Sequence, residues 1–190
     1  MKKILLSLAL TIFLNNAAAQ DTNTCASWPS WFKPACQRLY QVWSEGNNEL
    51  YLSGYAWHNR YTYSREQIRT KRYNELAWGG GLGKGLYDEK GDWHGLYAIA
   101  FLDSHKNVEP AAGYAFLKVA HLSENIRIGA GYSVIFTARP DIYHNIPFAG
   151  IIPWISLNYR QLSISATYIP GARGAGNVLF LIGKWTFALT

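Results

Sequence analysis

From Glu49 onward, apolar and polar residues alternate with a period of two, which is typical of β-strands. In the first such segment, residues 49–61, the aromatic residues are predicted on one face: Tyr51, Tyr55, Trp57 and Tyr61. His58 is predicted on the opposite face. Seven further strand-like segments are predicted at 71–85, 93–104, 110–121, 125–137, 147–158, 162–169 and 177–187. Eight strands of about ten residues are the smallest common size of a closed transmembrane barrel.

Residues 34–46 carry the clearest helical period of the chain. The apolar residues recur at a spacing of three and four: Cys36, Leu39, Tyr40 and Trp43. Pro34 suits the first turn of a helix, and Gly46 suits its end. The pattern predicts a short amphipathic helix, which binds either a membrane interface or a groove of a protein core.

The first 19 residues have the three parts of a secretory signal. Lys2 and Lys3 precede an apolar run over residues 4–14, and an A-x-A sequence ends at Ala19. The apolar run is too short to span a bilayer as a helix. We therefore expect cleavage of residues 1–19 on export, an N-terminal segment with the helix over 20–48, and a barrel over 49–190.

Cys25 and Cys36 are the two cysteines of the sequence. Export permits a disulfide between them, and Pro29 and Pro34 interrupt the path that would hold them apart in one continuous helix. The sequence does not decide whether this disulfide forms. Two cysteines without a nearby histidine do not suit zinc, and we expect no metal and no cofactor.

The composition narrows the class of protein. Aromatic residues make up 15% of the chain and charged residues 16%, whereas charged residues usually approach a quarter. This balance excludes intrinsic disorder, and the lack of long apolar runs after the N-terminus excludes a helical membrane bundle. A soluble barrel would have the same number of strands, but export, aromatic residues and low charge favour an outer-membrane barrel. Several strands are apolar on both faces, which predicts an interior that holds an apolar ligand.

Six motifs occur in one order between residues 49 and 187. They are AWHNRYTY (56–63), RYNELAWGGGLG (72–83), YDEKGDWHGLYAIAFLDS (87–104), EPAAGYAF (109–116), TYIPG (167–171) and GNV (176–178). Together they resemble the PagP-type lipid A palmitoyltransferases of the Gram-negative outer membrane. The resemblance implies an all-β fold, an eight-stranded antiparallel transmembrane barrel with an N-terminal amphipathic helix. It also implies transfer of a palmitoyl chain from the sn-1 position of a glycerophospholipid to lipid A.

A non-enzymatic outer-membrane barrel that binds lipid or acts as an adhesin is the alternative, and a soluble lipid carrier is a third. Carried over by motif, the expected catalytic residues are His58 in AWHNR and Asp103 and Ser104 in AFLDS. Imidazole suits a general base, a carboxylate can orient it, and a serine can act as a nucleophile or stabilise an oxyanion. The sequence leaves open whether Ser104 is acylated or His58 activates the lipid A hydroxyl directly.

The resemblance implies further substrate-binding positions. His94 matches a position used in lipopolysaccharide recognition, and Ala115 matches a glycine on the floor of the acyl pocket. The added methyl of Ala115 predicts a slightly shorter or less strictly selected chain. Pro153 and Pro170 match prolines that open a lateral gate, and Arg173 stands where the family has a gating tyrosine.

At a second lateral opening, Ser53 and Ala77 stand in place of the family's prolines, so that opening is either absent or made differently. Four basic residues crowd the first long loop: Arg65, Arg69, Lys71 and Arg72. They are suited to the phosphates of lipid A. The expected partners are a glycerophospholipid donor, lipid A as acceptor and outer-membrane lipid, with no nucleic acid. The sequence leaves open whether the protein is a monomer or a homodimer.

Overall fold

The computed structural model describes residues 24–140, 143–171 and 176–187. The expected signal segment, residues 1–19, and the gating position Arg173 lie outside the described residues. The chain divides into two compact units, Met1–Ser44 and Glu45–Thr190.

In the N-terminal unit, helix α1 spans Lys33–Glu45 and confirms the predicted amphipathic helix. Cys25 and Cys36 form a disulfide with their Cα atoms 5.9 Å apart, which answers the question that the sequence left open. The chain between them turns at Pro29, whose carbonyl accepts the N–H groups of Phe32 and Lys33. Among the described residues, no helix combines the length and the apolarity needed to cross a membrane.

The second unit is a closed barrel of eight strands, as predicted. Each strand is antiparallel to the next, and the last strand pairs with the first. The strands are β1 (Asn47–His58), β2 (Gly79–Tyr87), β3 (Trp93–Leu102), β4 (Val108–His121), β5 (Ile126–Thr137), β6 (Phe148–Tyr159), β7 (Leu162–Ile169) and β8 (Val178–Phe187). A short helix α2 (Arg65–Thr70) lies in the long connection between β1 and β2.

The second strand begins later than the sequence predicted. Residues 71–78 were expected in it, but β2 starts at Gly79. The preceding residues make backbone hydrogen bonds outside a ladder, because Asn74 N–H donates to Ser104 and the Glu75 carbonyl accepts from Ala56. The segment thus links strand β1 with the loop that follows β3.

The predicted faces of β1 are wrong beyond Ser53. The register of β1 against β8 shifts between Ser53 and Tyr55, and this β-bulge moves the following side chains to the opposite faces. Tyr51 is therefore buried in the barrel at 1% exposure, whereas Tyr55 faces outward at 38%. The same shift turns His58 into the interior, on the face that Tyr51 occupies.

The outer wall of the barrel carries large apolar side chains, as expected for a lipid-facing surface. Exposed examples on β5, β6 and β7 are Ile128, Tyr132, Phe136, Ile151, Ile155, Leu157 and Ile164. The interior row of β2 consists instead of glycines: Gly79, Gly81, Gly83 and Gly85. A Cβ atom on Gly85 would lie 2.6 Å from the Trp93 indole nitrogen, so side chains of the other strands fill this part of the interior.

Candidate functional site

The expected catalytic residues meet at one rim of the barrel. His58 is the last residue of β1, and Asp103 and Ser104 directly follow β3. Because β1 and β3 run in the same direction in an antiparallel barrel, their ends lie at the same rim. We refer to this end of the barrel as the His58 rim.

Both ring nitrogens of His58 are engaged. Nε2 lies 2.9 Å from Oγ of Ser104, and Nδ1 lies 3.2 Å from Oε1 of Glu75. The ring is buried between aromatic residues, since Tyr73 stacks on it with an interplanar angle of 15° and Tyr63 meets it edge-on. A hydrogen-bonded imidazole and hydroxyl, with a carboxylate on the far nitrogen, are the parts of a nucleophilic catalytic triad.

Glu75 is the carboxylate of this arrangement, and the sequence analysis missed it. Its Oε1 and Oε2 accept two parallel hydrogen bonds from Arg60, of 2.9 and 2.8 Å. Burial raises the pKa of Glu75, but the hydrogen bonds from Arg60 and His58 outweigh it and hold this pKa below its ordinary value. The available signal was weak: Glu75 is the lone acidic residue between Glu66 and Asp88.

Asp103 has other partners. Its Oδ1 accepts the backbone N–H groups of His105 and Asn107 at 2.8 and 2.7 Å, and Oδ2 accepts from the Asn107 amide. The carboxylate therefore shapes the loop that presents Ser104, in the manner of an Asx-turn. The structure brings His58 and Ser104 together and places Asp103 beside them without contact between its carboxylate and the imidazole.

A cavity of about 190 Å³ opens beside the His58–Ser104 pair. Part of its wall is polar or aromatic and includes Tyr63, Tyr73, His105 and the ion-paired Glu109 and Arg139. The rest of its wall is apolar: Ala56, Ala77, Phe101, Leu102, Ile169, Val178 and Phe180. Phe101 and Phe180 pack with their ring centroids 4.6 Å apart. The described residues include no group of histidine, cysteine and acidic side chains arranged to hold a metal ion.

The other predicted positions lie away from this pair. His94 is near the opposite rim, where it contacts Tyr114 at 2.6 Å and Asp88 at 3.1 Å. Ala115 is fully buried, paired with Gly95 and Ser133, and lies farther down β4 than the cavity wall. The structure therefore does not bring His94 or Ala115 to the His58 rim.

The two places where the sequence predicted or questioned a lateral opening of the barrel wall differ in their hydrogen bonding. The ladder between β6 and β7 ends at Trp154 and Thr167, just short of Pro153, whose carbonyl accepts a hydrogen bond from the Thr167 hydroxyl. Pro170 directly follows β7. Between β1 and β2, by contrast, the Ser53 hydroxyl donates to the carbonyl of Ala77 at 2.7 Å and bridges the boundary.

A closed eight-stranded barrel with a histidine–serine pair beside an apolar cavity defines a barrel enzyme suited to acyl transfer. Residues 38–184 match the sequence model of the family described as "Antimicrobial peptide resistance and lipid A acylation protein PagP". The chain belongs to this PagP family, and it is an acyltransferase. Family and fold together point to an outer-membrane protein.

Individual relatives carry the name lipid A acyltransferase PagP. The protein of Legionella longbeachae serogroup 1 is 61% identical over 173 residues, which cover 91% of this chain and 75% of the relative. The protein of Legionella pneumophila is 56% identical over 186 residues, or 97% and 98% of the two chains. The protein of Bordetella parapertussis is 54% identical over 181 residues, or 95% and 97%.

Proposed function

We propose that the protein transfers a palmitoyl or similar long acyl chain from the sn-1 position of a glycerophospholipid to lipid A. The observation that carries this proposal is the 2.9 Å contact between Nε2 of His58 and Oγ of Ser104 beside an apolar cavity. The names of the relatives support lipid A as the acceptor.

The chemistry is an exchange of esters. Nε2 of His58 takes the proton of the attacking hydroxyl while its oxygen bonds to the ester carbonyl carbon of the donor. The bond to the glycerol oxygen then breaks, and that oxygen leaves with the proton as a lysophospholipid. The attacking hydroxyl belongs either to lipid A itself or to Ser104, which then carries the chain as an ester. In the second case a lipid A hydroxyl next attacks the Ser104 ester, the bond between the acyl carbon and Oγ breaks, and Oγ regains a proton from His58. Asp103 supports this chemistry by holding the loop of Ser104.

The donor reaches the cavity from the side. Beyond Trp154 and Thr167 the ladder of β6 and β7 is interrupted next to Pro153, and Pro170 ends β7. Proline cannot donate a ladder hydrogen bond, so strand separation here costs less than elsewhere in the wall. Lipid can pass between these strands, whereas the Ser53–Ala77 hydrogen bond favours a closed wall between β1 and β2.

The acceptor binds at the outer surface of the same rim. Helix α2 and its return carry the basic residues of the long connection: Arg65, Arg69, Lys71 and Arg72. Cations at this surface attract the phosphates of lipid A. We place the His58 rim at the outer leaflet, after export and cleavage of residues 1–19. Roles of His94 in lipopolysaccharide recognition and of Arg173 in gating stay predictions.

The test is an acyl-transfer assay. Purified protein in detergent is incubated with a phospholipid labelled in its sn-1 chain and with lipid A, and the products are analysed by mass spectrometry. We expect lipid A with one additional labelled chain, and lysophospholipid in equal amount. A protein that binds both lipids without forming either product would be a non-enzymatic barrel. Incubation with the donor alone, followed by intact-protein mass spectrometry, separates an acyl-Ser104 intermediate from direct transfer.

A further inference from the structure

We propose that Glu75, held by Arg60, is a positioning residue that fixes the tautomer of the His58 imidazole. In that tautomer Nδ1 carries the proton, and Nε2 is the basic nitrogen that faces Ser104. The inference rests on the proposed function, in which His58 acts as the base.

Glu75 contacts His58 at two points, the imidazole ring and the main chain. Oε1 of Glu75 lies 3.2 Å from the imidazole Nδ1, and the same oxygen accepts the backbone N–H of His58 at 3.0 Å. The carboxylate is therefore anchored to the main chain of the residue whose ring it orients. The backbone contact thus keeps the carboxylate next to the ring.

Arg60 fixes the plane of that carboxylate. Its guanidinium binds both oxygens of Glu75, and the same Nη1 donates to the backbone carbonyl of His58 at 3.2 Å. A bidentate fork of this kind specifies direction as well as charge, which the ammonium group of a lysine does not. Arg60 is thus bonded to both members of the pair.

The tautomer follows from the donor and acceptor properties of the groups. An ionised carboxylate only accepts hydrogen bonds, so Nδ1 must supply the proton of the contact. The lowered pKa of Glu75 keeps this carboxylate ionised over a wide pH range. A neutral imidazole carries one ring proton, which leaves the lone pair of Nε2 free to accept the proton of a hydroxyl.

None of the other described residues that contact or adjoin the His58 ring selects its tautomer. The stacked ring of Tyr73 and the edge of Tyr63 restrict rotation of the imidazole, but neither ring selects a tautomer. The carboxylate of Asp103 is occupied by His105 and Asn107. Glu75 is the acceptor at hydrogen-bond distance from Nδ1.

The kinetic test replaces Glu75 by leucine in the full chain. Leucine keeps the approximate size of the side chain but offers no acceptor, so the N–H of Nδ1 loses its partner and the tautomer with the proton on Nε2, donated to Oγ of Ser104, gains population. In a Ser-His-Asp triad, loss of the aspartate alone lowers kcat by about 3 × 10⁴-fold. We expect E75L to lose about 10³- to 10⁴-fold in kcat with little change in KM. E75D should recover at least about tenfold over E75L, because it restores the acceptor. E66L, in the same loop, is the matched control and should retain full activity.

The second readout needs no substrate. Protein labelled with ¹⁵N-histidine in detergent micelles reports the ring protonation of His58 by NMR. We expect the proton on Nδ1 in the unaltered protein and in E75D, and a shift of the tautomer equilibrium towards a proton on Nε2 in E75L. An unchanged tautomer equilibrium in E75L overturns the proposal, whatever the rate of that variant, and so does a rate near that of the unaltered protein. If the unaltered protein forms no acylated lipid A, the proposed function fails, while the NMR result still decides the role of Glu75.

Discussion

The two ends of strand β1 each carry a buried carboxylate or imidazole network, but only one network lies beside open space. At the end of β1, His58 and its partners border a cavity of about 190 Å³. Near its start, Glu49 accepts hydrogen bonds from Lys184 at 2.5 Å, Tyr51 at 2.6 Å and Thr186 at 3.1 Å. The cavity there measures about 10 Å³, which is about the room for one water molecule.

Similar polar groups therefore have different surroundings at the two ends of β1. The Glu49 network is closed, because its charge is matched by Lys184, whose ammonium also lies 3.9 Å from the centre of the Trp93 ring. This network fills the barrel interior. At the His58 rim, Glu75 and Arg60 satisfy each other, and Nε2 is left facing a hydroxyl and a cavity. Free volume next to the polar groups, more than the groups themselves, distinguishes the His58 rim, the proposed reactive end, from the sealed end at Glu49.

The largest effect is expected at the reactive end. His58→Ala and Ser104→Ala should each abolish acyl transfer. Ser104→Ala, in a loop, should leave the unfolding temperature nearly unchanged, whereas His58→Ala removes a buried, stacked ring and should lower it while the barrel still folds. Activity is measured by the lipid A assay and folding by circular dichroism. His121→Ala, at an exposed histidine of the opposite rim, is the matched control. Transfer at a normal rate by the His58 variant would remove His58 from the reaction.

Substitutions in the Glu49 network, at the sealed end, should lower the stability of the barrel. Glu49→Gln or Lys184→Met leaves one buried charge without its partner, which typically costs about 3–5 kcal/mol. We expect a lower midpoint of thermal or urea unfolding, with transfer retained at temperatures where the barrel is folded. The double variant should lose less than the sum of the single changes, because the two residues are coupled. Single variants with an unchanged midpoint would show that the pair does not stabilise this end.

The smallest effect concerns the boundary between the two ends. Ala115 lies below the cavity, at the level of its ladder partner Ser133, whose hydroxyl is 2.7 Å from that of Tyr97. If the acyl chain reaches Ala115, Ala115→Gly should shift the preference towards longer chains. One methylene is worth about 0.8 kcal/mol, or roughly fourfold. Ala111→Gly, the same change nearer the His58 rim, is the control. An identical chain distribution in the lipid A products of both variants would exclude Ala115 as the floor.

Much of the fold was predictable because it depends on local periodicity. The eight strands and helix α1 follow from periods of two and near four, and the family motifs identified the His58–Ser104 pair. The β-bulge after Ser53 was missed, although the extra residue is Gly54 and an isolated glycine within a strand pattern is the usual signal of a bulge. The start of β2 was missed because a glycine-rich strand has little pattern of side chains.

In the candidate site, too, some residues were predictable from the sequence and others were not. Ser104 directly follows a strand in a specific motif, whereas Glu75 comes from a loop 17 residues after His58 and reaches it only through the tertiary fold. Asp103 precedes Ser104 in the sequence, which made it the expected partner of the imidazole. Its carboxylate satisfies nearby backbone N–H groups instead, a local requirement that outweighs its sequence position.

The glycine row of β2 has a consequence for assembly of the barrel. Side chains normally specify how far one strand must slide along another, and a strand whose interior row is glycine from Gly79 to Gly85 carries little of that information. The position of β2 therefore depends on β1 and β3, with which it forms continuous ladders. During insertion, β2 acquires a unique register only when its two neighbours are present, so these three strands are expected to form as one cooperative unit.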